Sequence, residues 1–445
     1  MEQSKDNYWL RSGIINIVQN FSGTLINMVT FLILVRLLNK NDYGVWGLYG
    51  QTILILEIIR AGLIQSALIK FMAGADAKEH SSIFSASVSI SVSITIICIL
   101  LNFVFAGRLS NMLKAPELES MFHLYNVVFL LSGILSIFNC IEQAHFKYMG
   151  VFIGGIARQG VLCLFLCVNY YFNITTNLID LVYIQIICVI ISIFISWFYV
   201  KSFIKFTFTF SKHWIKKIFH YGKYSFATSL SSILSGTLDQ WMLAGLISPA
   251  ASGSFNIAIR IVNLIDIPTN AIATIVFPQS AKRIESEGKD AVKYLYEKSV
   301  GTILAMAIPA IIFLFVFNRQ IIDILAGEKY ADSVPIINIT LISCIFTPFG
   351  RQFGVIIDSI GKTRLNFILV VVSTMNVLAL NYFFIQKYGV IGAAYATLIA
   401  NIIGFIIAQV ILWRELRVNC LNSFIYAYKF YPEFYNKYIA KRINL

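Results

Sequence analysis

Hydrophobic residues gather in twelve runs, each about the length of a bilayer crossing and each bounded by Gly, Pro or clustered charge. The runs lie at about 12–35, 45–69, 82–106, 118–139, 150–172 and 178–200, then at about 223–247, 253–277, 299–317, 334–357, 365–386 and 389–412. A helix needs about 20 apolar residues to cross the hydrocarbon layer. The pattern therefore predicts an all-α integral membrane protein with about 12 transmembrane helices. The first run follows MEQSKDNYWLRSG, which has no small-residue cleavage site, so it reads as an uncleaved span and not as a signal peptide.

Composition agrees with the pattern. Of 445 residues, 58% are hydrophobic and 13% charged, with a mean hydropathy of +0.75. That is too little polar surface for a water-soluble domain, and it excludes a large soluble catalytic domain. The net charge of +13 is explained by topology. With the N-terminus inside, 24 Lys and Arg fall in cytoplasmic segments and 7 in outside loops, which predicts both termini in the cytoplasm. Basic loops facing anionic lipid need no nucleic-acid partner. The seven Cys sit almost all in apolar runs and their number is odd, so they read as buried thiols. Cys163 and Cys167 have no His or carboxylate in their turn, so neither a metal site nor a cofactor is expected.

A shift of 209 residues superimposes the two halves of the chain. Gly13 falls on Gly222, Gly44 on Gly253, Trp46 on Phe255 and Glu57 on Asp266. Six helices per repeat is an even number, so both repeats enter from the same side. Such parallel repeats are one of the transporter designs, with a substrate path between two six-helix lobes. The expected organisation is an N-terminal lobe over 1–210, a C-terminal lobe over 211–413 and a cytoplasmic or interfacial tail over 414–445. The 201–223 and 278–298 segments read as solvated connectors with snorkelling lysines.

Asn16, Asn20, Gly23, Asn27 and Thr30 are spaced to share one face of the first helix, and the same shift carries them onto Ser225, Ser229, Ser232, Gly236 and Asp239. Close helix packing is one reading of such stripes, and a hydrated cavity is the other. Arg60, Arg158, Arg260 and Arg351 lie in or near spans, beside Glu57, Asp239 and Asp266. Charges at that depth are costly and commonly mark a pathway. Arg260, flanked by Asn256 and Asn263, is the leading candidate; an ion pair with Asp239 or Glu57 is the structural alternative. Guanidinium groups suit a phosphate-bearing substrate, and the carboxylates suit proton or sodium coupling. Pro268 and Pro278 predict irregular backbone in the eighth span.

The connector RLLNKNDYGVWGLYGQ resembles the R-L-L-x-x-x-x-Y-G signature of bacterial polysaccharide transporters, the O-antigen or Wzx-type flippases. The second-half segment with Asp239 and the run SGSFNIAIRI is similar to theirs as well. The resemblance covers residues 8 to 413. It implies the multidrug/oligosaccharidyl-lipid/polysaccharide exporter fold, with two six-helix lobes around a central cavity. It further implies an undecaprenyl-pyrophosphate-linked oligosaccharide as substrate, moved across the inner membrane. Cationic cavity residues of the family are matched by Arg260, Arg60 and Arg158. Membrane lipids, a polysaccharide polymerase and chain-length proteins are the implied partners, and the protein is expected to act as a monomer.

Enzymatic readings are weaker. Gly361-Lys362-Thr363 mimics the end of a phosphate-binding loop, but Ile356 stands where that loop needs Gly. A polysaccharide polymerase or ligase would want a larger outward loop, and the longest here are about 11 to 16 residues. A multidrug antiporter of the same fold remains open through Asp239, Glu57 and Asp266.

Overall fold

The computed structural model describes residues 22–74, 79–145, 147–203 and 211–436, and the regular elements among them are all helical. In chain order these are α1 (Ser22–Leu37), α2 (Lys40–Gly74), α3 (His80–Met112), α4 (Glu117–Ala144), α5 (Met149–Tyr171), α6 (Leu178–Val200), α7 (Lys212–Leu246) and α8 (Pro249–Val262). A 3₁₀ turn (Asn263–Ile265) leads into α9 (Asp266–Ser286) and α10 (Lys289–Val316). Then come α11 (Asn318–Leu325), α12 (Ser333–Ser343), α13 (Thr347–Ser359), α14 (Thr363–Tyr388), α15 (Val390–Leu416) and α16 (Cys420–Phe434).

Among the described residues, nine helical segments are long and apolar enough to cross a membrane, with α8 and α9 counted together. The bent pair α12 and α13, 44° apart, makes a tenth. Two predicted spans fall outside that test. The first run is described only from Ser22, as α1. The seventh lies in α7, which begins at Lys212, eleven residues before the apolar run, and so carries its lysines inside the helix. Trp214 and Ile218, four residues apart, are buried in a cluster with Ile64, Leu68, Met72 and Ile83. That amphipathic spacing turns part of the expected 201–223 connector into helix.

Short polar signals set the turns. Asn39 accepts from the Asp42 N–H at 2.8 Å and starts α2, while Asn177 and Asp180 cap α6 reciprocally. Gly288 and Gly389, at φ +81° and +62°, reverse the chain before α10 and α15; only glycine takes such backbone without strain. Pro268 has no N–H for the Leu264 carbonyl, and the backbone there tightens into the 3₁₀ turn. Pro278, by contrast, is accommodated inside α9.

The chain divides into two compact units, Met1–Thr237 with Ser248–Ala250, and Leu238–Ile247 with Ala251–Leu445; the border falls within α7. In the first, small residues bring helices close: Ser192 donates to the Gly154 carbonyl at 2.9 Å, joining α5 to α6. The core of the second is built on Tyr296, Val300, Leu304, Phe349, Phe353 and Leu412. Here α16 packs on α10 at Gly301, where an added Cβ would lie 2.6 Å from Tyr426 Cβ. The buried Glu297 carboxylate accepts from the Asn419 N–H at 2.9 Å and the Asn422 amide at 3.0 Å.

Candidate functional site

Among the described residues, charged groups that the sequence singled out belong to three clusters, one in the first unit and two in the second. In the first unit, Glu57 and Arg60 lie one turn apart on α2 and form an ion pair. Arg60 is 2% exposed. It also donates to the Phe129 carbonyl and to Ser132 Oγ at 3.0 Å, and its guanidinium lies 4.3 Å from the Phe129 ring centroid. Gly133 leaves the room: a Cβ there would come within 3.2 Å of Arg60 Nη1. The other Glu57 oxygen accepts from Tyr125 at 2.8 Å and Ser132 at 2.7 Å. This cluster ties α2 to α4, and its charges spend themselves on one another.

Arg158 differs. It sits ten residues into α5, exposed, and among the described residues it has no hydrogen bond or ion pair. Asn27 on α1 is also exposed, whereas Thr30 donates back to the Ile26 carbonyl at 2.7 Å. Asn16 and Asn20 lie outside the described residues, as do the side chains of Ser225, Ser229 and Ser232, whose backbone belongs to α7.

In the second unit Asp239 is buried and is bonded to groups other than Arg260. One carboxylate oxygen accepts from the Asn381 amide of α14; the other faces Thr397 Oγ1 of α15 at 3.3 Å. Thr397 also approaches the Ala393 carbonyl at 3.0 Å, and a hydroxyl has one proton to give. Asn381 Oδ1 is buried with no hydrogen-bond partner. Carboxylate, amide and hydroxyl groups thus meet from three helices, with the Asn381 N–H turned to the carboxylate. Asn381 and Thr397 escaped the sequence reading, although each is a polar residue within an apolar span.

The third cluster is a relay to Arg260. Asn256, buried, donates to Gln240 Oε1 at 2.8 Å and accepts from Arg260 Nε at 3.0 Å. Gln240 thereby orients the Asn256 amide so that its oxygen faces the guanidinium. Arg260 itself is exposed, as is Asn263 in the 3₁₀ turn. Asp266 is half-buried within reach of the Arg351 charge. Asn256, expected among the cavity groups, bonds both Gln240 and Arg260.

Residues 33–335 match the family model described as polysaccharide biosynthesis protein. A putative O-antigen transporter of Shigella flexneri is 23% identical, over 91% of this chain and 98% of that one. Among solved structures, an inward-facing multidrug resistance MATE family transporter of the MOP superfamily aligns with TM-score 0.74 at 15% identity, covering 88% of this chain and 94% of its own. The lipid II flippase MurJ in an inward closed conformation aligns with TM-score 0.70 at 16% identity, covering 96% and 99%. At such identities the two structures speak to the fold, which is that of these multi-pass transporters.

Proposed function

The chain belongs to the polysaccharide biosynthesis protein family, and from that membership we propose that it is a flippase for lipid-linked oligosaccharide, a transporter and not an enzyme. The substrate is an undecaprenyl-pyrophosphate-linked repeat unit, moved from the cytoplasmic to the outer leaflet of the bacterial inner membrane. Both termini are cytoplasmic and the protein acts as a monomer, handing its product to polymerase and chain-length proteins. Arg260 receives the pyrophosphate and the exposed Asn263 amide a sugar, while Arg158 and Asn27 are the candidate substrate groups of the first unit.

The observation that carries this reading is the division of labour among the embedded charges. Arg158 and Arg260 are exposed inside membrane-length helices, where a cation is expensive unless it serves a pathway. Asp239, with Asn381 and Thr397, supplies a separate buried carboxylate for a coupling ion. In this reading substrate and driving ion use different groups.

Deletion of the gene tests the assignment. Accumulation of lipid-linked oligosaccharide on the cytoplasmic leaflet is the expected result. Outward single units without polymer would point to a polymerase, and loss of drug resistance alone to a multidrug antiporter.

A further inference from the structure

The two ends of the first unit differ in charge, one basic and the other balanced. Helices α2 to α6 alternate in direction, so the ends of α2, α4 and α6 and the starts of α3, α5 and α7 share one end. Residues from those ends meet in a single apolar cluster that includes Met72, Ile83, Ala144, Val200, Trp214 and Ile218. Around it stand six exposed lysines: Lys70, Lys147, Lys201, Lys212, Lys216 and Lys217. Of the described carboxylates there, Glu79 is exposed, whereas Glu142 is buried and turned to the Val151 N–H at 2.7 Å. At the opposite end Arg36, Lys40, Arg108 and Lys114 are balanced by Asp42, Glu117, Glu119 and Asp180.

Four of the lysines lie over aromatic faces: Lys70 is 5.9 Å from the Phe71 ring centroid, and three others sit closer. Lys217 Nζ lies 4.3 Å from the Trp214 ring centroid and 5.1 Å from that of Phe71, and those two rings meet edge to face at 5.7 Å. Lys147 lies 4.7 Å over Phe203, whose other neighbour is the His145 ring at 4.4 Å. Lys201 lies 5.2 Å over Phe198. Among the described residues none of the three is bridged to a carboxylate. A ring within about 6 Å steadies an ammonium without consuming its N–H donors, so these cations are pre-positioned for an anion.

We propose that this end of the first unit is a binding surface for anionic phospholipid headgroups, with Lys147, Lys201 and Lys217 as its fixed cations. Position and composition select a lipid over a soluble anion. The helices are membrane-spanning, so their ends lie at headgroup depth. Exposed Phe198, Tyr199 and Phe219 stand beside the lysines, giving acyl chains an apolar flank below the phosphate.

The test uses the purified full-length protein in detergent, with phosphatidylglycerol or phosphatidylcholine added and retention read by native mass spectrometry. Wild type should retain phosphatidylglycerol preferentially. The Lys147→Gln, Lys201→Gln, Lys217→Gln triple variant should bind it more weakly by about fivefold per lysine, on the order of 100-fold in all. The matching triple Lys→Arg variant should keep the affinity, as should Lys40→Gln, Arg108→Gln, Lys114→Gln at the opposite end. Should the first triple fail to fold, Lys201→Gln alone carries the test through its fivefold loss. Equal retention of the two lipids by wild type, or undiminished affinity in the glutamine variants, would overturn the proposal. Displacement of phosphatidylglycerol by excess inorganic phosphate would overturn it in favour of a soluble anion.

Discussion

Glu57 and Arg60, one turn apart on α2, neutralise each other inside the first unit, and the guanidinium is almost fully enclosed. The enclosed guanidinium is the group left stranded when its partner goes, since Glu57 is 31% exposed and keeps Tyr125 and Ser132: Glu57→Gln should destabilise by about 3–5 kcal/mol and Arg60→Met by less. The double variant Glu57→Gln, Arg60→Met should recover much of that loss. A double-mutant cycle on thermal unfolding in detergent checks this, and additive losses would show that the pair is not coupled.

Asp239 is expected to couple transport to an ion. Asp239→Asn should leave the protein folded and remove the dependence of flipping on sodium or pH in proteoliposomes. Asn381→Leu should do the same, because it deletes both the donor to Asp239 and the orphaned Oδ1. An unchanged ion dependence in both variants would dismiss the site.

For Arg260, substitution by Ala should block surface glycan while the protein remains in the membrane. A charge-assisted hydrogen bond to phosphate is worth about 1.5–3 kcal/mol, or roughly 10- to 100-fold in substrate affinity. Gln240→Leu should give a smaller loss through the relay, since it frees Asn256 to rotate away. Normal glycan in the Arg260 variant would remove it from the pathway.

Topology can be read by labelling. A cysteine at Ser211 should be shielded from impermeant reagents added outside, and one at Asn111 should react. The reverse pattern would invert the orientation.

Packing of the last helix is testable at Gly301. A Cβ there would lie 2.6 Å from Tyr426 Cβ and 2.7 Å from the Ser423 carbonyl, so Gly301→Leu should cost about 1–3 kcal/mol. Gly350→Ala, with nothing within 4 Å of the new methyl, should be neutral or slightly stabilising. Unfolding midpoints compare the two.

Most spans were legible because a bilayer demands long apolar runs, and α3, α6 and α10 need little beyond that rule. The embedded charges were visible too, but not their partners. Arg60 and Arg260 look alike along the chain, yet one faces Glu57, Phe129 and Ser132 and the other is exposed. The Phe129 and Ser132 contacts come from 69 and 72 positions away, which no helical periodicity reports, whereas the Glu57 pairing is an i, i+3 spacing present in the sequence. Asn381 and Thr397 reach Asp239 across 142 and 158 positions. The segment from Lys212 was misread for a different reason: its lysines hid the Trp214–Ile218 spacing that makes it helix.

Glu297 has a consequence for biosynthesis. The α10 helix is made and inserted well before Asn419 and Asn422 exist, 122 and 125 residues later. Until α16 arrives, that carboxylate has neither donor, and a chain that stops short of residue 419 keeps it bare at the edge of the bilayer. The two residues that satisfy Glu297 thus belong to α16 and its N-terminal turn, so the second unit is not electrostatically complete until that helix docks on α10.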